Sequence, residues 1–180
     1  AVAGSFKEEQ LEERKRNDGD VDKAVGDKPF EAEYRAPYLA HAPLEPLSAI
    51  VCVTDKRADV WTCSQMPRFH QSNVAGIAGL PVEKVFLHNQ MVGGSFGHRL
   101  EDDHVKRATE IAVAMKGTPI KLTYSREEDF AHDFPRQIAI GRIRGAVKDG
   151  KVEAFDLKIA MPSVNASQLS RQPSAPPLGP

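Results

Sequence analysis

The chain has 180 residues, within the ~100–200 typical of one domain, and its 24 Lys+Arg against 25 Asp+Glu leave a formal net charge of −1. That balance excludes a generic polyanion binder, so no nucleic-acid partner is expected: neutralising phosphates requires an excess of basic residues. With 41% apolar and 27% charged residues the mix is that of a globular protein with its own core, and two cysteines, Cys52 and Cys63, are too few for a disulfide framework or a four-cysteine zinc site.

Residues 7–23 are dominated by charge, with Glu-to-Lys or Glu-to-Arg spacings of three and four and almost no apolar face. They read as a solvated helix followed by a linker ending at Gly26-Asp27, so residues 1–28 form a charged lead-in. Phe30–Arg35 alternates with period two and reads as a strand. Ser48–Thr54 and Ala58–Cys63 form a hairpin around Asp55-Lys56-Arg57. Both cysteines fall in or at the end of these strands and are expected to be buried structural thiols.

Pro67–Leu80 reads as a helix opened by proline and closed near Gly79, and Pro81–His88 returns to strand. After the glycine cluster Gly93-Gly94-Ser95-Phe96-Gly97 comes a helix from Asp102 to Lys116, with Val105, Ala108, Ile111, Ala112 and Met115 as its apolar face. Pro119–Tyr124 is a strand, and Ser125 with Glu128 makes a capping box. Gln137–Val147 and Val152–Ala160 pair around Asp149-Gly150. The fold class is therefore α+β (mixed α/β), combining hairpins with strand–helix–strand units. Residues 166–180 form a Pro-rich tail that closes no visible element, and the chain lacks an initiator Met. The expectation is a piece of something longer.

Four features point to chemistry. The glycines around Phe96 let a ligand approach the backbone, and a helix follows; the cluster reads either as a ligand loop or as a tight connection. It matches neither the Walker pattern nor the dinucleotide fingerprint. His98 and His104 flank Glu101, Asp102 and Asp103, which reads either as a two-histidine, one-carboxylate metal site or as a solvated helix start. His41 sits in a stiff proline-flanked loop, suited to a structural role or to lining a pocket. Gln65 stands where a strand gives way to a helix, a position at which α/β sheets bind ligands. No serine or cysteine has a sequence-local base.

Several blocks in order resemble one family: Glu33-Tyr34-Arg35-Ala36-Pro37-Tyr38-Leu39-Ala40-His41-Ala42-Pro43-Leu44-Glu45-Pro46, Val60–Pro67, Gly79–Val85, Val92–Leu100, Pro119-Ile120-Lys121 and Ser125–Asp129. Together, over roughly residues 30–160, they are similar to the large subunit of the molybdenum hydroxylases. This is the xanthine dehydrogenase/aldehyde oxidase family, and the likeness is to its isoquinoline 1-oxidoreductase and membrane-bound aldehyde dehydrogenase branch.

The resemblance implies that residues 29–165 are a molybdopterin-binding subdomain. It implies that Gln65 hydrogen-bonds an oxygen ligand of molybdenum and that Gly93, Gly94, Ser95, Phe96 and Gly97 pack beside the metal and the molybdopterin, with no residue ligating the metal directly. It implies hydroxylation of aldehydes or N-heterocycles with water-derived oxygen. The cofactor would be molybdopterin in its cytosine dinucleotide form. The partners would be the rest of the large subunit, a small iron–sulfur subunit and, in this branch, a cytochrome c subunit.

Three departures stand out. Ser95 replaces a usual glycine, which requires negative φ there or tolerated strain. His98-Arg99 stands where Arg-Arg is common. Leu100 occupies the position of a substrate-side glutamate, which disfavours purines. The family's catalytic glutamate lies beyond this chain, so the fragment alone is expected to be inactive. The alternative is a non-catalytic module binding a phosphate or nucleotide ligand through Gly93–Gly97.

Overall fold

The computed structural model describes residues 2–7, 18–164, 166 and 167. In chain order its regular elements are α1 (Val21–Val25), β1 (Phe30–Ala36), β2 (Ser48–Val53), β3 (Ala58–Thr62), α2 (Pro67–Ala78), β4 (Val85–Asn89), α3 (Asp103–Ala114), β5 (Ile120–Thr123), α4 (Arg126–Ala131), β6 (Ala139–Lys148) and β7 (Lys151–Ala160). The class is α+β, as the sequence implies. The charged helix expected within 7–23 falls largely on 8–17, outside the described residues, as does most of the 166–180 tail. Among the described residues, 40–135 make one compact unit and the stretches on either side make another, so 29–165 runs through both.

The flanking unit is an antiparallel sheet in the order β1-β6-β7. Its long hairpin turns at Asp149 (φ 51°) and Gly150 (φ 73°), the left-handed pair that a two-residue type I′ turn needs. Phe30 and Tyr34 pair with Gly145 and Gly141, which pair in turn with Phe155 and Ile159. Directly opposed residues share a face, so these aromatic and aliphatic side chains, with Leu157, line one side and are exposed. The other side carries Arg142–Glu33 (2.8 Å) and Arg144–Asp156 (2.9 Å) ion pairs. There Arg144 also reaches Asp22 of α1 (2.5 Å), and Arg142 lies 4.2 Å from the Phe6 ring. The alternation expected for Phe30–Arg35 is present in the side each residue takes but not in burial: Ala32 is half-buried and the other residues of the strand are exposed.

The central unit is a four-stranded sheet in the order β4-β3-β2-β5, with α2 and α3 packed against it. β2 and β3 are the expected hairpin, while β3 and β4 run parallel, so β3–α2–β4 is a strand–helix–strand unit. Ala49, Val51 and Val53 of β2 and Ala58 and Val60 of β3 meet Val74 and Ala75 of α2 and Val105, Ala108 and Ala112 of α3. Each fully buried valine contributes about 1.5–3 kcal/mol, and β-branched residues suit both sheet and core.

Proline opens α2 as expected, and Gly79 (φ 65°) closes it by donating to the Ala75 carbonyl. Two expectations shift. Val82–Lys84 form a 3-10 turn, closed by Lys84 N–H to the Pro81 carbonyl (2.9 Å), and the strand begins only at Val85. On α3, Ile111 and Met115 are exposed while Thr109 is buried. At ~100° per residue they fall to the flank of the stripe centred on Val105 and Ala112, and Thr109 tolerates burial by donating to the Val105 carbonyl (2.7 Å). Ser125 caps α4 by accepting from the Glu128 N–H (3.1 Å). Both cysteines are free; Cys63 is buried, but Cys52 is only half-buried, because it points away from the helices that cover the other face.

Candidate cofactor site

Gln65 and the glycine loop leave the carboxyl ends of two adjacent parallel strands, β3 and β4, the edge at which open α/β sheets take up ligands. Asn89 ties the two exits together. Its Oδ1 accepts from the Ser64 N–H (2.8 Å) and its Nδ2 donates to the Ser64 carbonyl (3.3 Å).

The loop is then fixed residue by residue. Gly93 N–H donates to the Glu45 carboxylate (2.6 Å), and Glu45 N–H returns a bond to the Gly93 carbonyl (3.2 Å). A Cβ on Gly93 would stand 2.7 Å from Glu45 Cβ, so only glycine fits. Gly94, Phe96 and Gly97 have positive φ (93°, 58° and 108°), whereas Ser95 does not. The condition set by serine at this position is met, and the left-handed conformation moves to the next residue.

The Ser95 hydroxyl donates to Gln65 Oε1 (2.5 Å) and accepts from the Arg99 N–H (3.1 Å). Gln65 Oε1 being occupied, its exposed Nε2 group has no partner among the described residues. The backbone N–H groups of Gly94, Ser95, Phe96 and Gly97 likewise have none among the described residues. Phe96 stands outward, 72% exposed. All six residues singled out in the sequence, Gln65, Gly93, Gly94, Ser95, Phe96 and Gly97, thus meet at one place.

The histidines sort differently from the sequence reading. His98 and His104 are both buried and belong to separate clusters, so neither a shared metal site nor a solvated helix start describes them. His98 Nδ1 and His41 Nδ1 both donate to Asp133 Oδ1 (2.6 and 2.7 Å), and the His41 N–H donates to Oδ2 (2.7 Å). Asp129 lies on the other side of the His98 ring, with Oδ1 3.4 Å from Nε2. His41, His98 and Asp133 are the described group whose ligand atoms gather closely enough for a metal ion, but these separations are hydrogen-bond lengths. Burial raises the Asp133 carboxyl, and the bonds from the His41 ring and backbone, with His98 beside them, outweigh it and hold it below the usual carboxylate range.

His104 meets His70 edge to face at 6.5 Å. Burial foremost, then the nearby His70, Arg99 and His98, bring its pKa down to about 3. Cys63 donates to the Met91 carbonyl (2.8 Å), and burial, then the adjacent Glu45 carboxylate, push its thiol up. Sequence reasoning gave no role to Glu45, Arg99 or Asp133. Glu45 and Arg99 lay inside quoted blocks; Asp133 carried no signal at all.

The arrangement sets a glycine loop, four of whose N–H groups have no partner among the described residues, beside a neutral amide at the carboxyl edge of parallel strands. Residues 5–173 match the molybdopterin cofactor-binding domain model, and the chain belongs to that family. Isoquinoline 1-oxidoreductase subunit beta of Brevundimonas diminuta is 34% identical over 73% of this chain and 17% of its own length. Aldehyde oxidase 1 of Oryctolagus cuniculus is 32% identical over 81% of this chain and 11% of its own. Aldehyde oxidoreductase from Desulfovibrio gigas has a similar fold, with TM-score 0.62 and 21% identity over 79% of this chain and 16% of that one. The chain therefore spans less than a fifth of the length of these relatives.

Proposed function

We propose that this chain is the front part of the molybdopterin-binding region in the large subunit of a molybdenum hydroxylase, with 29–165 as the cofactor-binding stretch. The complete enzyme oxidises aldehydes or N-heterocycles with water-derived oxygen, and its catalytic base lies outside these 180 residues. The observation that carries this reading is the Gln65 Nε2 group beside the N–H groups of Gly94–Gly97, none of which has a partner among the described residues. Close-set donors on a backbone opened by glycines fit a cofactor rich in acceptor atoms, and a neutral amide orients such a group without adding charge. When bound, the molybdenum cofactor supplies two-electron redox chemistry. Gln65 and the Gly94–Gly97 amides hold and orient its acceptor atoms, and the exposed Phe96 ring lines the approach.

Leu100 supplies no carboxylate at its position, in keeping with substrates other than purines. We assign the cofactor the cytosine dinucleotide form, a small iron–sulfur subunit as electron acceptor and a cytochrome c subunit beyond it. The alternative of a phosphate- or nucleotide-binding module gains nothing from the fold. The loop passes into a 3-10 turn, and α3 opens only at Asp103, so the helix does not start where the loop ends.

The test is Gln65→Ala in the complete protein matured with its partner. Turnover is expected to fall about 100-fold, the scale of one lost preorganised donor, with the fold intact. Unchanged turnover removes Gln65 from the site. A wild-type protein that holds no molybdenum and oxidises neither substrate class sinks the whole reading.

A further inference from the structure

Arg99 lies directly behind the glycine loop and is 1% exposed. Its guanidinium donates to the Gly94 carbonyl, to the Glu45 carbonyl (2.9 Å) and to the Pro46 carbonyl (3.4 Å), and it pairs with the Glu45 carboxylate at 3.3 Å. Its main chain joins the same network: the N–H donates to Ser95 Oγ, and the carbonyl accepts from the Gln65 N–H (3.1 Å). Gly94, Ser95, Gln65 and the Glu45 segment that grips Gly93 therefore all converge on this one residue. A role limited to filling space would require none of these bonds to reach the site.

We propose that Arg99 is a positioning residue that sets the register between the glycine loop and the Gln65 amide, with Glu45 as its counter-ion. This rests on the reading that both face a bound molybdopterin. The side chain spans loop and scaffold because a guanidinium carries five donors in a rigid planar fork. The carboxylate is required because a buried cation left unpaired is strongly unfavourable. With Gly94 fixed by the guanidinium and Ser95 Oγ by the main chain, the Ser95 hydroxyl can point at Gln65 Oε1 and leave the Nε2 donors facing outward. A lysine at this position keeps the charge but has three donors on a flexible stem, so it lacks the rigid fork that reaches the Gly94, Glu45 and Pro46 carbonyls together.

The test uses the full-length enzyme with its partner subunit, comparing wild type, Arg99→Lys and Glu45→Gln. Molybdenum per chain, kcat, KM and the Mo(V) electron paramagnetic resonance spectrum are measured for each. Arg99→Lys is expected to keep most of its molybdenum and its KM while kcat drops roughly 10- to 100-fold, the cost of a misplacement near 1 Å, and the Mo(V) signal shifts. Glu45→Gln, which keeps an acceptor for Gly93, is expected to shift the same signal; it decides the matter should the lysine variant fail to fold. A wild-type kcat and an unshifted Mo(V) signal in the variant that folds overturn the positioning role. Absence of molybdenum from the wild type instead overturns the cofactor reading on which it rests.

Discussion

Gly93 and Gly97 are each constrained for a different reason. A methyl on Gly93 runs into Glu45 Cβ at 2.7 Å and its Oε2 at 2.9 Å, with no unusual φ involved. Gly97 combines φ 108° with His41 Nε2 3.2 Å from the added carbon. Gly117 offers a comparison, since it has φ 82° with nothing within 4 Å. Gly97→Ala is expected to destabilise by about 1–3 kcal/mol through backbone strain alone and further through the His41 contact. Gly117→Ala pays only the strain, and Gly93→Ala loosens the loop by displacing Glu45. Thermal unfolding of the complete protein together with molybdenum retention checks the three: Gly117→Ala lowers stability and keeps the metal, while the other two also lose metal. The loop and Gln65 were legible because glycines, and an amide at a strand end, mark themselves locally. Arg99, Glu45 and Asp133 were not, because their partners lie far along the chain, 54 positions away for Arg99 and Glu45 and 92 for Asp133 and His41. A charged residue with a distant partner reads in sequence as one more surface charge.

At the level of elements, α3 shows what periodicity can and cannot reveal. Its length and its central stripe followed from spacing, but the edge of the stripe did not, because Thr109 enters the core only by spending its hydroxyl on its own helix. His104 on the same helix reads in sequence as a metal ligand or as part of a solvated start, yet it is wholly buried, since its ring is accommodated by His70 and Thr62 across the unit. That burial has a pH signature. The folded pKa of about 3 lies below the ordinary value of 6.5, so as pH falls below ~6.5 the unfolded chain takes up a proton that the fold refuses. Stability is therefore full above that range and declines towards about pH 3, by at most about 1.4 kcal/mol per pH unit for this group. Between about pH 6.5 and pH 5, ordinary carboxylates are still ionised, so the slope there belongs to histidine. Amide exchange protection of α3 in the complete protein, corrected for intrinsic rates, is expected to fall across that interval, and His104→Phe is expected to lessen the fall, the remainder belonging to His70, whose pKa burial also lowers. An unchanged slope in that variant removes His104 as its source.

The two compact units present the whole molecule with different amounts of finish. The central one buries its valines between sheet and helices, and both its hairpin and its strand–helix–strand unit were readable from turn residues and apolar runs. The flanking one has the alternation of a strand packed on a core, yet it leaves Phe30, Tyr34, Phe155, Leu157 and Ile159 facing outward. Sequence reports which side of a strand is apolar but not what lies against it. A contiguous face of that kind is rare on a free-standing monomer, and β1 and β7 are the open edges of the described sheet. Produced alone, the 180-residue chain is expected to self-associate, with light scattering rising with protein concentration and with binding of a hydrophobic dye; Leu157→Lys with Ile159→Thr is expected to lower both. Scattering that the double substitution leaves unmoved would place the stickiness elsewhere. The same strip also divides the stability of the fold: side chains left this open contribute little to holding their own sheet together, so their apolar area counts only towards whatever is laid over it.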